Sequence, residues 1–194
     1  MFFELIEYLC GECKMFFYKL LYFSRLKYHF YSKFSRSFYI RIFEKGKLFL
    51  GKNTVFRAGT IIRIRKNGKV VIGDGTGLNY YCLINAHENV TIGENTILGQ
   101  NVKIYDHDHI YKSLDEIKTS GFVTKPVIIG DNVWIGSDCI ILSGSDIGSN
   151  SVIAAGTIIK GVIPENSMVF NRRELVTRKI EYNEQTENDK KQKN

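Results

Sequence analysis

The sequence predicts an all-β fold, a parallel β-helix of hexapeptide repeats with one protruding loop and a helical extension at its N-terminus. Three observations lead to it. An aliphatic residue returns every six positions, most regularly at Ile129, Ile135, Ile141, Ile147, Ile153 and Ile159. Four places after the lead residue there is usually a small or β-branched one, from Thr54, Thr60, Thr76 and Cys82 to Ser145, Ser151 and Thr157. Upstream of residue 105 the beat pauses after every third repeat, with ten residues from Ile62 to Ile72 and eight from Ile84 to Ile92. A period of six fits neither the 3.6 of an α-helix nor the 2 of a plain strand. It marks a solenoid whose coils have three flat sides. The lead residues fill the interior, the residues four places on fill the corners, and the pauses are expected to be small bulges at one corner.

Residues 1–47 carry no hexad beat. They are rich in Phe and Tyr and hold nine Lys/Arg against four Glu. Phe2, Leu5, Ile6, Leu9 and Cys13 recur at helical spacing, and Phe16, Phe17, Leu20, Leu21 and Phe23 do so less cleanly. One or two amphipathic helices are expected, their apolar face packed on the β-helix or a neighbouring subunit, or laid on an anionic membrane surface. Residues 48–168 form the β-helix. Residues 105–126 lose the beat and must leave the coil as a loop, a common place for function in a solenoid. Residues 169–180 form a C-terminal segment, and the polar residues 181–194 are expected to be disordered.

Composition narrows the functional classes. The net charge of +7 admits nucleic acid, an anionic membrane or a phosphorylated small molecule as partners. No nucleic-acid-binding motif accompanies it. No run of apolar residues is long enough to span a bilayer, and Glu4 and Glu7 interrupt the first apolar stretch, so a cytoplasmic protein is expected. Cys82 and Cys139 fall at corner positions and read as buried thiols. Cys10 and Cys13 form a lone CxxC without the further ligands that zinc needs.

His107 and His109 open the excluded loop, two apart in an extended segment, so both can face one side. Imidazole titrates near neutrality and is the usual general base. Asp106 and Asp108 flank the pair and are placed to orient a ring. No Gly-x-Ser-x-Gly elbow or phosphate-cradling Gly-rich loop is present, so a histidine acting directly on a hydroxyl fits better than a covalent intermediate.

Two stretches carry a family resemblance. Ile92-Gly93-Glu94-Asn95-Thr96 through Leu98-Gly99-Gln100-Asn101-Val102-Lys103-Ile104-Tyr105 to Asp108-His109 resembles the hexapeptide-repeat acyltransferases. So does Ile128-Ile129-Gly130-Asp131-Asn132-Val133-Trp134-Ile135-Gly136-Ser137. The likeness covers roughly residues 48–168 and is nearest to the galactoside, maltose and nodulation acetyltransferase branch and its polysaccharide O-acetyltransferase relatives. It implies a left-handed coil, a homotrimer with active sites between subunits, and acetyl-CoA as co-substrate without a metal. The acceptor it implies is a hydroxyl of a sugar or glycan, of the capsule, exopolysaccharide or O-antigen type. The family's catalytic base falls on His109, its oxyanion-binding N–H on Ser137 and its acceptor-binding Asn on Asn79, with Tyr81, His107 and Asp106 nearby. Trp134, Ser137, Ala155 and Thr157 line the CoA arm, and Lys160 and Arg173 reach the phosphates. Here the family's Thr-Lys step is Lys160-Gly161, and its Gly-x-Pro is replaced within Phe170-Asn171-Arg172-Arg173-Glu174, so Arg172, Arg173 and Arg178 all compete for the phosphates.

Two other readings are open from sequence. A zinc hydratase of the γ-carbonic-anhydrase kind would recruit His87, His107 and His109. A silent β-helix scaffold would bind no CoA.

Overall fold

The computed structural model describes residues 2–29, 31–111, 116–172 and 176–179, excepting the side chains of residues 2–5. Three parallel sheets run the length of the molecule. The first stacks Leu26–Lys27, Lys47–Leu50, Lys69–Ile72, Asn89–Ile92, Val127–Ile129, Asp146–Ile147 and Val162–Ile163. The second stacks Lys33–Phe34, Val55–Phe56, Gly77–Leu78, Ile97–Leu98, Trp134–Ile135, Val152–Ile153 and Met168–Val169. The third stacks Tyr39–Ile42, Ile61–Ile64, Leu83–Ala86, Lys103–Tyr105, Ile140–Ile141 and Ile158–Ile159. One strand from each sheet makes one coil of a parallel β-helix.

The hexad explains the register. Ile92 pairs with Ile129 and Ile129 with Ile147, while Leu98, Ile135 and Ile153 form a second column. All are at most 1% exposed, so each column is a dry ladder of aliphatic side chains. The corner residues Thr54, Thr60, Thr76, Thr96, Ser145, Ser151 and Thr157 are buried too. Most spend their hydroxyls on carbonyls of the next coil, as Thr96 does with Gly130 at 2.9 Å. Cys82 and Cys139 are buried free thiols, and burial pushes the Cys82 thiol up to about 11.

Three features differ from expectation. The pauses are not bulges: Tyr39–Ile42, Lys47–Leu50, Ile61–Ile64 and Lys69–Ile72 are longer strands joined by turns at residues 43–46 and 65–68, so these coils are simply wider. The coil begins at Leu26, well inside the segment read as a helical extension. Its first coil hides the beat because its lead positions are Tyr28, Phe34 and Ile40, two of them aromatic. Phe34 stacks on Phe56 at 5.3 Å between ring centroids, and Phe38 on Phe56 at 4.7 Å, so aromatic rings fill this end of the interior.

The third difference concerns the helix α1 (Phe2–Tyr22). It lies across the open end of the first coil. Met15 and Tyr22 are buried there, and the Tyr18 hydroxyl accepts from the Ile40 N–H at 3.4 Å. Gly11 rests directly on the chain below, where a Cβ would stand 1.7 Å from the Phe34 carbonyl oxygen. Ile6, Leu9, Phe16, Phe17, Leu20 and Leu21 point the other way and are exposed. Of the placements expected for this stripe, packing on this chain's own β-helix is therefore the one that does not hold. Amphipathic spacing shows that one side is apolar and says nothing of what that side meets. Among the described residues no helix is long and apolar enough to cross a membrane.

Candidate active site

The excluded segment is a β-hairpin. His107–His109 pairs antiparallel with Phe122–Thr124, matching His107 to Thr124 and His109 to Phe122. It leaves the edge between the third and first sheets, the edge that also carries the wide turns. Asp106 anchors it. This residue is fully buried, and its carboxylate accepts from the backbone N–H groups of His87 (2.8 Å) and Glu88 (2.7 Å) and faces His107 Nδ1 at 3.3 Å. Burial alone would push the Asp106 carboxyl up. The hydrogen bonds from His107, His87 and Glu88 outweigh it and leave the group below its ordinary value. With its oxygens so engaged, Asp106 belongs to the frame of the hairpin and not to an acceptor pocket, which corrects the sequence placement.

His87 stacks on His107, with ring centroids 3.8 Å apart and planes 24° from parallel. Burial first, and the neighbouring His107 second, lower His87 to about 4, so this ring is neutral near pH 7. Stacked imidazoles cannot aim their nitrogens at one ion. Among the described residues no group of three His, Cys, Asp or Glu side chains is placed to hold a metal. Phe122 touches His87, His107 and His109 at 4.4, 5.3 and 4.5 Å, and joins the three histidines. Sequence reasoning missed Phe122, because only the hairpin register brings it across from His109.

His109 is exposed and lines a cleft of about 510 Å³ with Asp108, Ile110, Tyr111, Lys125 and Lys160. Asp108 meets Lys160 at 3.4 Å. Both partners are roughly half exposed or more, so this pair contributes little stability. Lys125, also absent from the sequence reading, stands on the same rim. Arg173 and residues 181–194 lie outside the described residues.

The remaining candidates stand elsewhere. Asn79, Tyr81, Ser137, Ala155 and Thr157 all fall on the edge between the second and third sheets, and Trp134 is exposed on the second sheet beside it. Asn79 borders a smaller cleft with Arg57, Leu78 and Ile97. Thr157 is 1% exposed, as its corner position requires, so its side chain is turned away from any ligand on that edge.

Two local features of this edge stand out. At most corners the third place after the lead residue takes a positive φ, and the chain supplies Asn, Asp or Gly at Asn53, Gly59, Gly75, Asn95, Asn101, Asn132, Asp138, Gly144, Asn150 and Gly156. Tyr81 is the exception, at φ 60°. An L-residue with a bulky side chain is strained there by about 1–2 kcal/mol, and such strain collects at functional sites. Its ring, 67% exposed, lies over Gly59 of the preceding coil, where a Cβ would sit 2.3 Å from it.

The second feature is a backbone donor. At several corners the N–H is capped by a side chain of the next coil, as Gln100 N–H is by Ser137 Oγ (3.2 Å), Glu94 N–H by Asp131 Oδ1 (2.7 Å) and Asp131 N–H by Ser149 Oγ (3.0 Å). Above Ser137 the equivalent residue is Ala155, which has no acceptor, and no described residue takes the Ser137 N–H.

Comparison with known proteins agrees with this architecture. Residues 126–161 match the family described as Bacterial transferase hexapeptide (six repeats). The "Putative lipopolysaccharide biosynthesis O-acetyl transferase WbbJ" of Escherichia coli K12 is 32% identical over 158 residues, 76% of this chain and 78% of that protein. A galactoside O-acetyltransferase of Lactococcus lactis is 35% identical over 57% of this chain, which spans only about half (53%) of that relative. Among solved structures, a maltose O-acetyltransferase from Clostridium difficile 630 superposes with a TM-score of 0.55 at 34% identity, over 62% of this chain and 63% of that one. Stacked hexad coils, an interrupting histidine hairpin and relatives that share both the repeat and most of its length lead to one conclusion: this chain belongs to the hexapeptide-repeat acetyltransferase family.

Proposed function

We propose that the protein moves an acetyl group from acetyl-CoA to a hydroxyl of a sugar or glycan of the capsule, exopolysaccharide or O-antigen type, in the cytoplasm. The active site is completed between copies of a homotrimer. One observation carries the reading. His109 occupies one edge of the coil, while Asn79, Tyr81, Trp134 and Ser137 occupy another, with the third sheet between them. A second copy laid side by side supplies the missing edge to each cleft.

His109 acts as general base, taking the acceptor's hydroxyl proton as the oxygen attacks the thioester carbon. The C–O bond forms, the C–S bond breaks, and the proton returns to the departing sulfur. The edge fits the acyl donor. Its Ser137 N–H is free to meet the negative charge that develops on the thioester oxygen, and Ala155 leaves room above it. Trp134 offers a flat apolar wall along the pantetheine arm, and Lys160, on the facing His109 edge, supplies a cation for the phosphates.

Release of free thiol from acetyl-CoA, screened across sugar and glycan acceptors, tests the proposal. No thiol release with any acceptor, together with no CoA binding by calorimetry, overturns it. Two variants test the details. Ala155→Ser places a hydroxyl where it captures the Ser137 N–H, and turnover is expected to fall by about 10²-fold, since an oxyanion donor contributes about 10²–10³. CoA affinity is expected to change little. Tyr81→Asn relieves the strained corner, so the melting temperature is expected to rise by several degrees, as about 1–2 kcal/mol would raise it. The KM for the glycan is expected to rise with it. A lower melting temperature with unaltered kinetics would remove Tyr81 from the acceptor site.

A further inference from the structure

We propose that α1 docks the protein, by its outer face, on an anionic lipid surface at the inner face of the membrane. This goes beyond acetyl transfer and stands apart from it. Ile6, Leu9, Phe16, Phe17, Leu20 and Leu21 form one stripe at i, i+3, i+4 and i+7 spacing, all between 41% and 68% exposed. Phe23 extends the stripe past the helix end at 75%. Soluble surfaces rarely carry so many large apolar side chains side by side without an occupant.

The geometry says where the face looks. Among the described residues α1 is anchored on the first coil: Gly11 on Phe34, Tyr18 on Ile40, Lys14 on the carbonyls of Arg36 and Phe38, and Lys19 on the carbonyl of Leu26. The helix is thus an end cap, and its opposite side points away from the stack, roughly along the coil axis. Copies packed side by side through their sheets leave that end uncovered. In a parallel trimer all three outer faces lie on one side of the particle.

Charge selects the occupant. Arg25, Lys27, Lys33 and Arg36 belong to the first coil or the turn that leads into it, within a segment of nine cations and four glutamates. Two of those acids are spent inward: Glu7 accepts from the Ser35 hydroxyl, and burial raises the Glu12 carboxyl above its ordinary value. Two such ends meeting face to face would bring like charges together. An apolar stripe rimmed by cations matches an anionic headgroup layer over hydrocarbon, and three copies on one plane would bind with avidity.

The test is flotation of the full chain with vesicles of phosphatidylcholine alone or mixed with phosphatidylglycerol. Recovery with the anionic vesicles is expected, weaker at high salt and weaker with neutral lipid. The triple variant Phe16→Ser, Phe17→Ser, Leu20→Ser is expected to lose partitioning by on the order of 100-fold or more, given the apolar area removed. Its particle size and its acetyl transfer to a water-soluble acceptor should stay unchanged. Absence of the full chain from both vesicle fractions, or equal recovery with neutral and anionic lipid, overturns the proposal. A smaller particle for the triple variant also overturns it, by making the stripe a contact between copies. Transfer to the soluble acceptor reports on the catalytic reading alone, so the two can fail separately.

Discussion

Turnover of the His109→Ala protein is expected to fall by about 10²–10⁴, with acetyl-CoA affinity nearly intact. A sugar hydroxyl is a poor nucleophile until its proton has somewhere to go. The imidazole of His109 lies open to the cleft on a strand whose partner residue, Phe122, packs against the ring. On the proposed mechanism its loss removes the proton acceptor and leaves the rest of the surface as it was. His107→Ala provides the control. That side chain is only 10% exposed, held between His87 and Asp106, so its truncation should loosen the hairpin and lower the melting temperature more than it lowers the rate. Single-turnover rates and calorimetry on both variants decide the matter. A crippled His107→Ala protein beside a near-normal His109→Ala protein would reassign the base.

Ile147→Asp should abolish folding. Ile147 is fully buried, and its column places Ile129 on one side and Ile163 on the other. A carboxylate at that position has no cation or N–H to meet. The cost of an unpaired buried charge reaches several kcal/mol, comparable with the 5–15 kcal/mol that holds a typical domain together. Expression into the insoluble fraction, or loss of a cooperative melt, is the expected result. Ile147→Val should remain folded and lose only about 0.5–1.5 kcal/mol, measured by denaturant titration. A soluble, cooperatively melting Asp variant would put the residue outside the coil.

What could be read in the sequence follows from what repeats. The interior columns and corner positions were legible because each hexad imposes the same demand on the same place, so Ile135 and Thr96 could be assigned without knowing their neighbours. The first coil was not legible, since aromatic Tyr28 and Phe34 carry the beat there and merge with the aromatic helix before it. The burial of Asp106 depends on which backbone N–H groups lie one coil below, and the role of Phe122 depends on hairpin register. Neither is a property of local sequence. The division of the candidate residues between two edges does follow from counting hexads in threes, since Asn79 and Ser137 come after the second lead of a coil and His109 after the third. Tyr81 is the instructive case: the pattern that made every other corner readable also marks it as the one that breaks the rule.

The stack has a metrical consequence. Strands in register stand about 4.8 Å apart, so the hairpin leaves the coil about 15–20 Å beyond the capped end. If that end rests on lipid, a sugar must extend about that far from the bilayer to be modified. Coil number then acts as a gauge of chain length: one extra turn below the hairpin would raise the selected position by about 4.8 Å, roughly a single sugar, with no alteration of the reacting groups.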